Sequence, residues 1–156
     1  RPSVGKTAFA LNLARNAAVE FNEPVAFFSL EMTSMELLDR LIATESGISS
    51  DKLKGKLKLL PEEWQVLEQS VGRIVKAPIY IDETPGITLT EFVAKSKRLV
   101  REKGVKIIFV DYLQLMHSGK PQLGGFSKVQ EVTEISNTLK TTAKELNILM
   151  SRRKQK

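Results

Sequence analysis

The sequence predicts an α/β sandwich around a mainly parallel central sheet. Three observations lead there. Short apolar runs alternate with longer stretches of helical periodicity along the 156 residues. The runs Val25–Leu30 and Val105–Val110 are apolar almost throughout, as in strands covered on both faces. Gly5-Lys6-Thr7 opens an Ala-rich helical stretch, in the manner of a phosphate-binding loop running into its helix.

Taken in order, residues 7–22 form a helix with Phe9, Ala10, Leu13, Ala14, Ala17 and Phe21 on one apolar face, stopped by Asn22-Glu23-Pro24. Val25–Leu30 is a strand. Thr33-Ser34-Met35-Glu36 is a capping box that opens a helix ending near Gly47. Residues 48–60 are Lys-rich and hold a small helix plus a loop. Pro61-Glu62-Glu63 sets Pro at the first helical position and acids in the first turn of a helix reaching about Val75. The only tryptophan, Trp64, falls in that amphipathic helix, where core packing is the default reading. Ile79–Asp82 is a short strand, and Glu83-Thr84-Pro85-Gly86 is a turn.

Thr88-Leu89-Thr90-Glu91 is a second capping box, opening a helix to Gly104. Lys95, Lys97, Arg98, Arg101 and Lys103 give that helix a positive side, read as a solvated face. Val105–Asp111 is the most convincing strand. Residues 117–127 are loop-like, and Lys128 to about Leu146 returns to helix. After Asn147 only Ile148-Leu149-Met150 could begin another strand.

Composition narrows the chemistry. Hydrophobic residues make up 42% and charged residues 27%, the mix of a soluble globular protein. No apolar run is long enough to span a bilayer and no signal peptide is visible, so a cytoplasmic location is expected and no membrane partner. Cysteine is absent, which removes disulfides and thiolate chemistry. His117 is the only histidine, too little for a His-based zinc site or a Ser-His-Asp triad, and it is expected on a loop or surface. The net charge of +6 suits a polyanionic partner without demanding one. Part of that charge sits in the tail Ser151–Lys156, expected to be a solvated or foreign ending.

The second half of the pattern G-x-x-x-x-G-K-[ST] is intact, and its first glycine would stand just before Arg1. Ser3, Val4, Gly5, Lys6, Thr7 and Ala8 are therefore the candidate nucleotide-binding residues. Gly5 lets backbone approach a phosphate, Lys6 can place its ammonium between phosphate oxygens, and the Thr7 hydroxyl can reach Mg²⁺. The amides from Val4 to Ala8 lie at a helix N-terminus, which favours an anion. A Gly-Lys-Thr that merely caps a helix is the bland alternative. Asp111 ends a buried strand, as does an aspartate that holds Mg²⁺ directly or through water. Its pairing with Gly5-Lys6-Thr7 far upstream makes nucleotide binding the preferred reading.

Glu31 follows its strand immediately and could orient a water for in-line attack on a γ-phosphate, or only face solvent. Gln114 could sense the γ-phosphate or hydrogen-bond backbone. Asp82 suits a turn-forming role better than a catalytic one. Lys120 and Lys128 flank a glycine-containing loop that could follow a phosphodiester backbone, or be a plain surface connection.

Five segments in order carry a resemblance: Arg1–Ala10, Phe28–Met32, Ala77–Ile87, Val110–Met116 and Gln130–Lys140. Together they resemble the RecA-like ATPase domain of bacterial replicative DNA helicases of the DnaB type, over residues 1 to about 148. The resemblance implies a RecA-like P-loop NTPase sandwich, ATP and Mg²⁺ as ligands, a homo-hexameric ring, and translocation on single-stranded DNA with duplex unwinding. It also implies a primase and a helicase loader as partners. By position it gives Lys6 and Thr7 the phosphate and Mg²⁺ roles, Asp111 the Walker B role, and Glu31 the water-activating role, so that Glu31 and Lys6 are the catalytic candidates. Gln130–Lys140 matches a motif of the subunit interface and ring interior.

Measured against that family, the chain is expected to be a single partial domain, family-like over 1–148 with an atypical basic tail at 149–156. Without the arginine finger, worth about 10³–10⁵ in rate, the isolated chain is expected to be nearly inactive. Two rival readings are a RecA-type recombinase or related ATPase, and a catalytically inactive nucleotide-binding remnant that acts as an interaction module.

Overall fold

The computed structural model describes residues 5–111, 115–117 and 128–152, without the side chains of Lys6, Lys128 and Arg152. In chain order the elements are α1 (Lys6–Arg15), a π-helical turn (Asn16–Glu20), β1 (Val25–Ser29), α2 (Ser34–Ser46), α3 (Ser50–Leu53) and α4 (Pro61–Lys76). There follow β2 (Ile79–Asp82), α5 (Leu89–Lys103), β3 (Ile107–Asp111), α6 (Lys128–Glu145) and β4 (Leu149–Arg152). The four strands form one all-parallel sheet in the order β2-β1-β3-β4.

Alternation along β1 builds two cores, one on each face of the sheet. Val25 and Phe27 join Phe109 and the helical residues Leu11, Ala14, Ala18, Leu37, Leu41 and Ile74 on one side. Ala26 and Phe28 join Ile108, Val110, Phe92, Ile135 and Leu139 on the other. Phe27 stacks on Phe109 across neighbouring strands, with centroids 5.8 Å apart, and Phe28 meets Phe92 of α5 at 4.6 Å. Helices α1, α2 and α4 thus cover one face and α5 and α6 the other, the expected sandwich.

Both capping boxes form. Thr33 and Thr88 accept from the amides of Glu36 and Glu91, and each glutamate accepts the threonine N–H in return. Gly47 and Gly104 close their helices in the left-handed region, at φ 69° and 65°.

Three expectations need correction. The buried stripe of the first helix is Leu11, Ala14 and Ala18, whereas Phe9, Leu13 and Phe21 are exposed. The small alanines let the helix lie close on Phe27 and Phe109, and the π-helical turn shifts the phase of everything after Arg15. Trp64 is 60% exposed rather than packed. Only Ser70 and Ile74 of α4 are buried, so its first two turns stand clear of the core. Finally, β4 pairs with β3 through Val110↔Arg152, so the sheet takes in Ser151 and Arg152, which the sequence alone gives to the tail.

Candidate functional site at the carboxyl edge of the sheet

In parallel α/β sheets ligands sit outside the carboxyl ends of the strands, and the acidic candidates lie there. The register of β1 on β3 pairs Ser29 with Asp111, so both strands end level. The ladder goes one residue further, with the Leu30 N–H donating to the Asp111 carbonyl at 2.8 Å. Asp111 is 3% exposed and engaged in further interactions. Glu31, the next residue after Leu30, is exposed and lines a crevice of about 730 Å³ between the segments 29–34 and 81–85.

Helix α1 approaches the same edge from the sheet face. It and its π-helical continuation run about 22 Å, and the chain then enters the amino end of β1. The start of α1 is thereby directed toward the carboxyl edge. Gly5 precedes it at φ 101°, a left-handed conformation that a side chain would strain. Gly5 offers no side-chain cap, and the first amides of a helix have no acceptor within it. Thr7 is half-buried on the first turn and Ala8 is exposed. The structure therefore brings Gly5, Thr7, Ala8, Glu31 and Asp111 toward one edge. Ser3, Val4, Gln114, Tyr112, Lys120 and the side chains of Lys6 and Lys128 lie outside what is described.

The second bank of the crevice carries what sequence reasoning missed. Asp82 ends β2 and forms the expected turn by accepting the Thr84 N–H at 3.0 Å. It also pairs with Lys95 at 2.6 Å, and the Lys95 ammonium donates to the Thr84 hydroxyl as well. Lys95 is thus a tie between α5 and β2 rather than part of a solvated face. Burial raises the Asp82 pKa, but the bonds from Lys95 and Thr84 outweigh it and leave the carboxyl below its ordinary value. Glu83 accepts the backbone N–H of Ser34 and so supports the N-terminus of α2; that bond holds its pKa down. No local signal marks this contact, because the partners lie far apart in sequence. Among the described residues no group of three or more His, Cys, Asp or Glu could hold a metal ion. A Mg²⁺ site here would need phosphate oxygens and water beside Asp111 and Thr7.

His117 is exposed, as expected, and its backbone bridges Thr88 at the start of α5. In α6, Ile135, Ser136 and Leu139 of the segment 130–140 face the core and are buried. Among the described residues no helix is long and apolar enough to cross a membrane.

Comparison with known proteins gives these features a family. The model of the DnaB-like helicase C-terminal domain matches residues 1–152. The chain is 46% identical to the replicative DNA helicase DnaB of Geobacillus stearothermophilus over 95% of its own length and 32% of that protein. To the replicative DNA helicase DnaC of Bacillus subtilis it is 45% identical, with the same coverage of 95% and 32%. The chain thus spans about a third of the curated relatives it matches. A solved DnaB-like replicative helicase, described with its interactions with primase, superposes with a TM-score of 0.88 at 33% identity, covering 99% of this chain and 37% of that one.

Proposed function

The chain belongs to the DnaB-like helicase C-terminal domain family, and from that premise we propose that it is the ATPase motor domain of a replicative DNA helicase. In this reading Ser3, Val4, Gly5 and Ala8 line the phosphates of ATP with backbone, and Lys6 holds the β- and γ-phosphate oxygens. Thr7 and Asp111 hold Mg²⁺; hard oxygen donors on a helix start and a strand end suit that ion. When bound, Mg²⁺ neutralises charge on the transferring phosphoryl group. Glu31 accepts a proton from the attacking water and aims it in line with the γ-phosphate, while Gln114 senses that phosphate.

The observation that carries this reading is the level register of Ser29 with Asp111, which sets Glu31 and Asp111 at one edge. A ring of six such domains translocating on single-stranded DNA, with primase and a loader as partners, is the assembly it belongs to. Its place is the cytoplasm.

The test is made in a full-length, ring-forming protein carrying this domain. Lys6→Ala is expected to lose affinity for a fluorescent ATP analogue. Glu31→Gln is expected to keep that affinity and lose about 10²–10⁴-fold in hydrolysis, the range of general base catalysis. Turnover at the wild-type rate in the Glu31 variant would remove its assigned role.

A further inference from the structure

The Glu31 carboxylate has no hydrogen-bond or ion-pair partner among the described residues, so its aim depends on its backbone. That backbone is pinned on both sides. Before it, the Leu30 N–H is bonded to the Asp111 carbonyl at 2.8 Å. After it, one buried hydroxyl engages both polar groups of the Met32 backbone. Ser29 Oγ donates to the Met32 carbonyl at 2.6 Å and accepts the Met32 N–H at 3.2 Å. Ser29 is itself 2% exposed and pairs with Asp111 in the sheet. Leu30 and Glu31 therefore form a two-residue arch with one foot tied to β3 at Asp111 and the other tied to β1 at Ser29, the residue paired with Asp111 in the sheet. The two Met32 contacts close this small turn, and a hydroxyl suits the place because it can donate and accept at once.

We propose that Ser29 is a positioning residue for ATP hydrolysis: its hydroxyl clips Met32 and so fixes where Glu31 presents its carboxylate relative to Asp111. The inference rests on the reading of Glu31 as the water-activating group. Without the hydroxyl the arch can open and Glu31 can swing along the crevice. Misplacement of a reacting group by about 1 Å costs on the order of 10²-fold in rate. Among the described residues the start of α1 makes none of these contacts, so nucleotide affinity is expected to be independent of the clip.

The experiment compares wild type, Ser29→Ala, Glu31→Gln and the double variant in a full-length, ring-forming protein carrying this domain. It measures kcat, affinity for a fluorescent ATP analogue and the thermal midpoint. Ser29→Ala is expected to lower kcat by about 10- to 100-fold with nucleotide affinity unchanged, while the thermal midpoint falls by only the few degrees that loss of two hydrogen bonds implies. The double variant is expected to be no slower than Glu31→Gln alone, because a misaimed carboxylate that is already neutralised has nothing further to lose. Wild-type kcat in Ser29→Ala beside a slow Glu31→Gln overturns the proposal. So does a kcat loss matched by lost nucleotide affinity, or a double variant slower than Glu31→Gln by the full Ser29 factor. A fast Glu31→Gln variant defeats the underlying reading of Glu31, and that outcome is visible without Ser29.

Discussion

Glu45 of α2 is the buried acid on which three helical segments converge, and removing it should loosen the support of the site. Its side chain is 1% exposed. One oxygen accepts Arg15 Nε at 2.5 Å, at the end of α1, and the other pairs with Arg73 of α4 at 2.5 Å. Glu20 of the π-helical turn lies 3.0 Å from Arg15 and 3.2 Å from Arg73. A sheltered, charge-assisted bond contributes about 1.5–3 kcal/mol. The Arg15 side chain is only 18% exposed, so that range applies to it. Arg73 is 51% exposed, and its pair belongs with surface bridges at about 0–1 kcal/mol. Glu45→Ala does not strand Arg15, which keeps Glu20, so the loss stays below that of a fully broken buried pair. The sum is about 2–4 kcal/mol, or about 5–15 °C in Tm for a chain of this size. Urea and thermal unfolding followed by circular dichroism measure it. Glu20→Ala, at the exposed corner of the same network, should cost less than about 1 kcal/mol. A Glu45→Ala chain within about 0.5 kcal/mol of wild type, the usual range for an inert surface position, would refute the argument.

Two further outcomes follow from the same structure. Backbone bonds hold the pKa values of Glu36, Glu63, Glu83 and Glu91 below the ordinary 4.5, so these groups bind protons more weakly folded than unfolded. Their stabilisation is present above that ordinary value and is lost as pH falls through the depressed ones. Tm should therefore decline below about pH 4.5, and replacing the four by glutamine should flatten the decline; equal slopes would contradict it. Trp64 should be freely quenched by acrylamide in the folded chain, and Trp64→Ala should change stability by no more than about 0.5 kcal/mol. Shielded fluorescence would restore the packed reading.

How much of this was legible in the sequence depended on range. Apolar runs gave the strands, and Thr33-x-x-Glu36 and Thr88-x-x-Glu91 gave two helix starts, because those signals act within a few residues. The acids at strand ends, Glu31 and Asp111, were legible for the same reason. The burial of α1 was not, because period alone cannot say which of two adjoining stripes faces the sheet when both are apolar, and a π-helical turn moved the phase. Trp64 misled because an amphipathic pattern says nothing about whether a helix extends past its neighbours. The ties Lys95–Asp82 and Glu83–Ser34 join distant segments, and no spacing rule reaches them.

Those long-range ties explain why the carboxyl edge can hold a defined geometry. Strand register alone sets Ser29 beside Asp111, but it ends where the ladder ends, at Leu30. Beyond that point the chain must turn from β1 into α2 within four residues, Leu30 to Thr33. A free turn of that length has many conformations, each residue contributing about 1–2 kcal/mol of backbone entropy. Here Ser29 grips Met32, Thr33 caps α2, and Glu83 reaches from β2 to Ser34. Met32 is therefore bonded to β1, Thr33 to the first turn of α2 and Ser34 to the residue that follows β2, whereas the Glu31 side chain has no hydrogen-bond or ion-pair partner among the described residues. An enzyme that needs a carboxylate to meet a water at one place gains from this arrangement, because the backbone is ordered on folding and not at the moment of reaction.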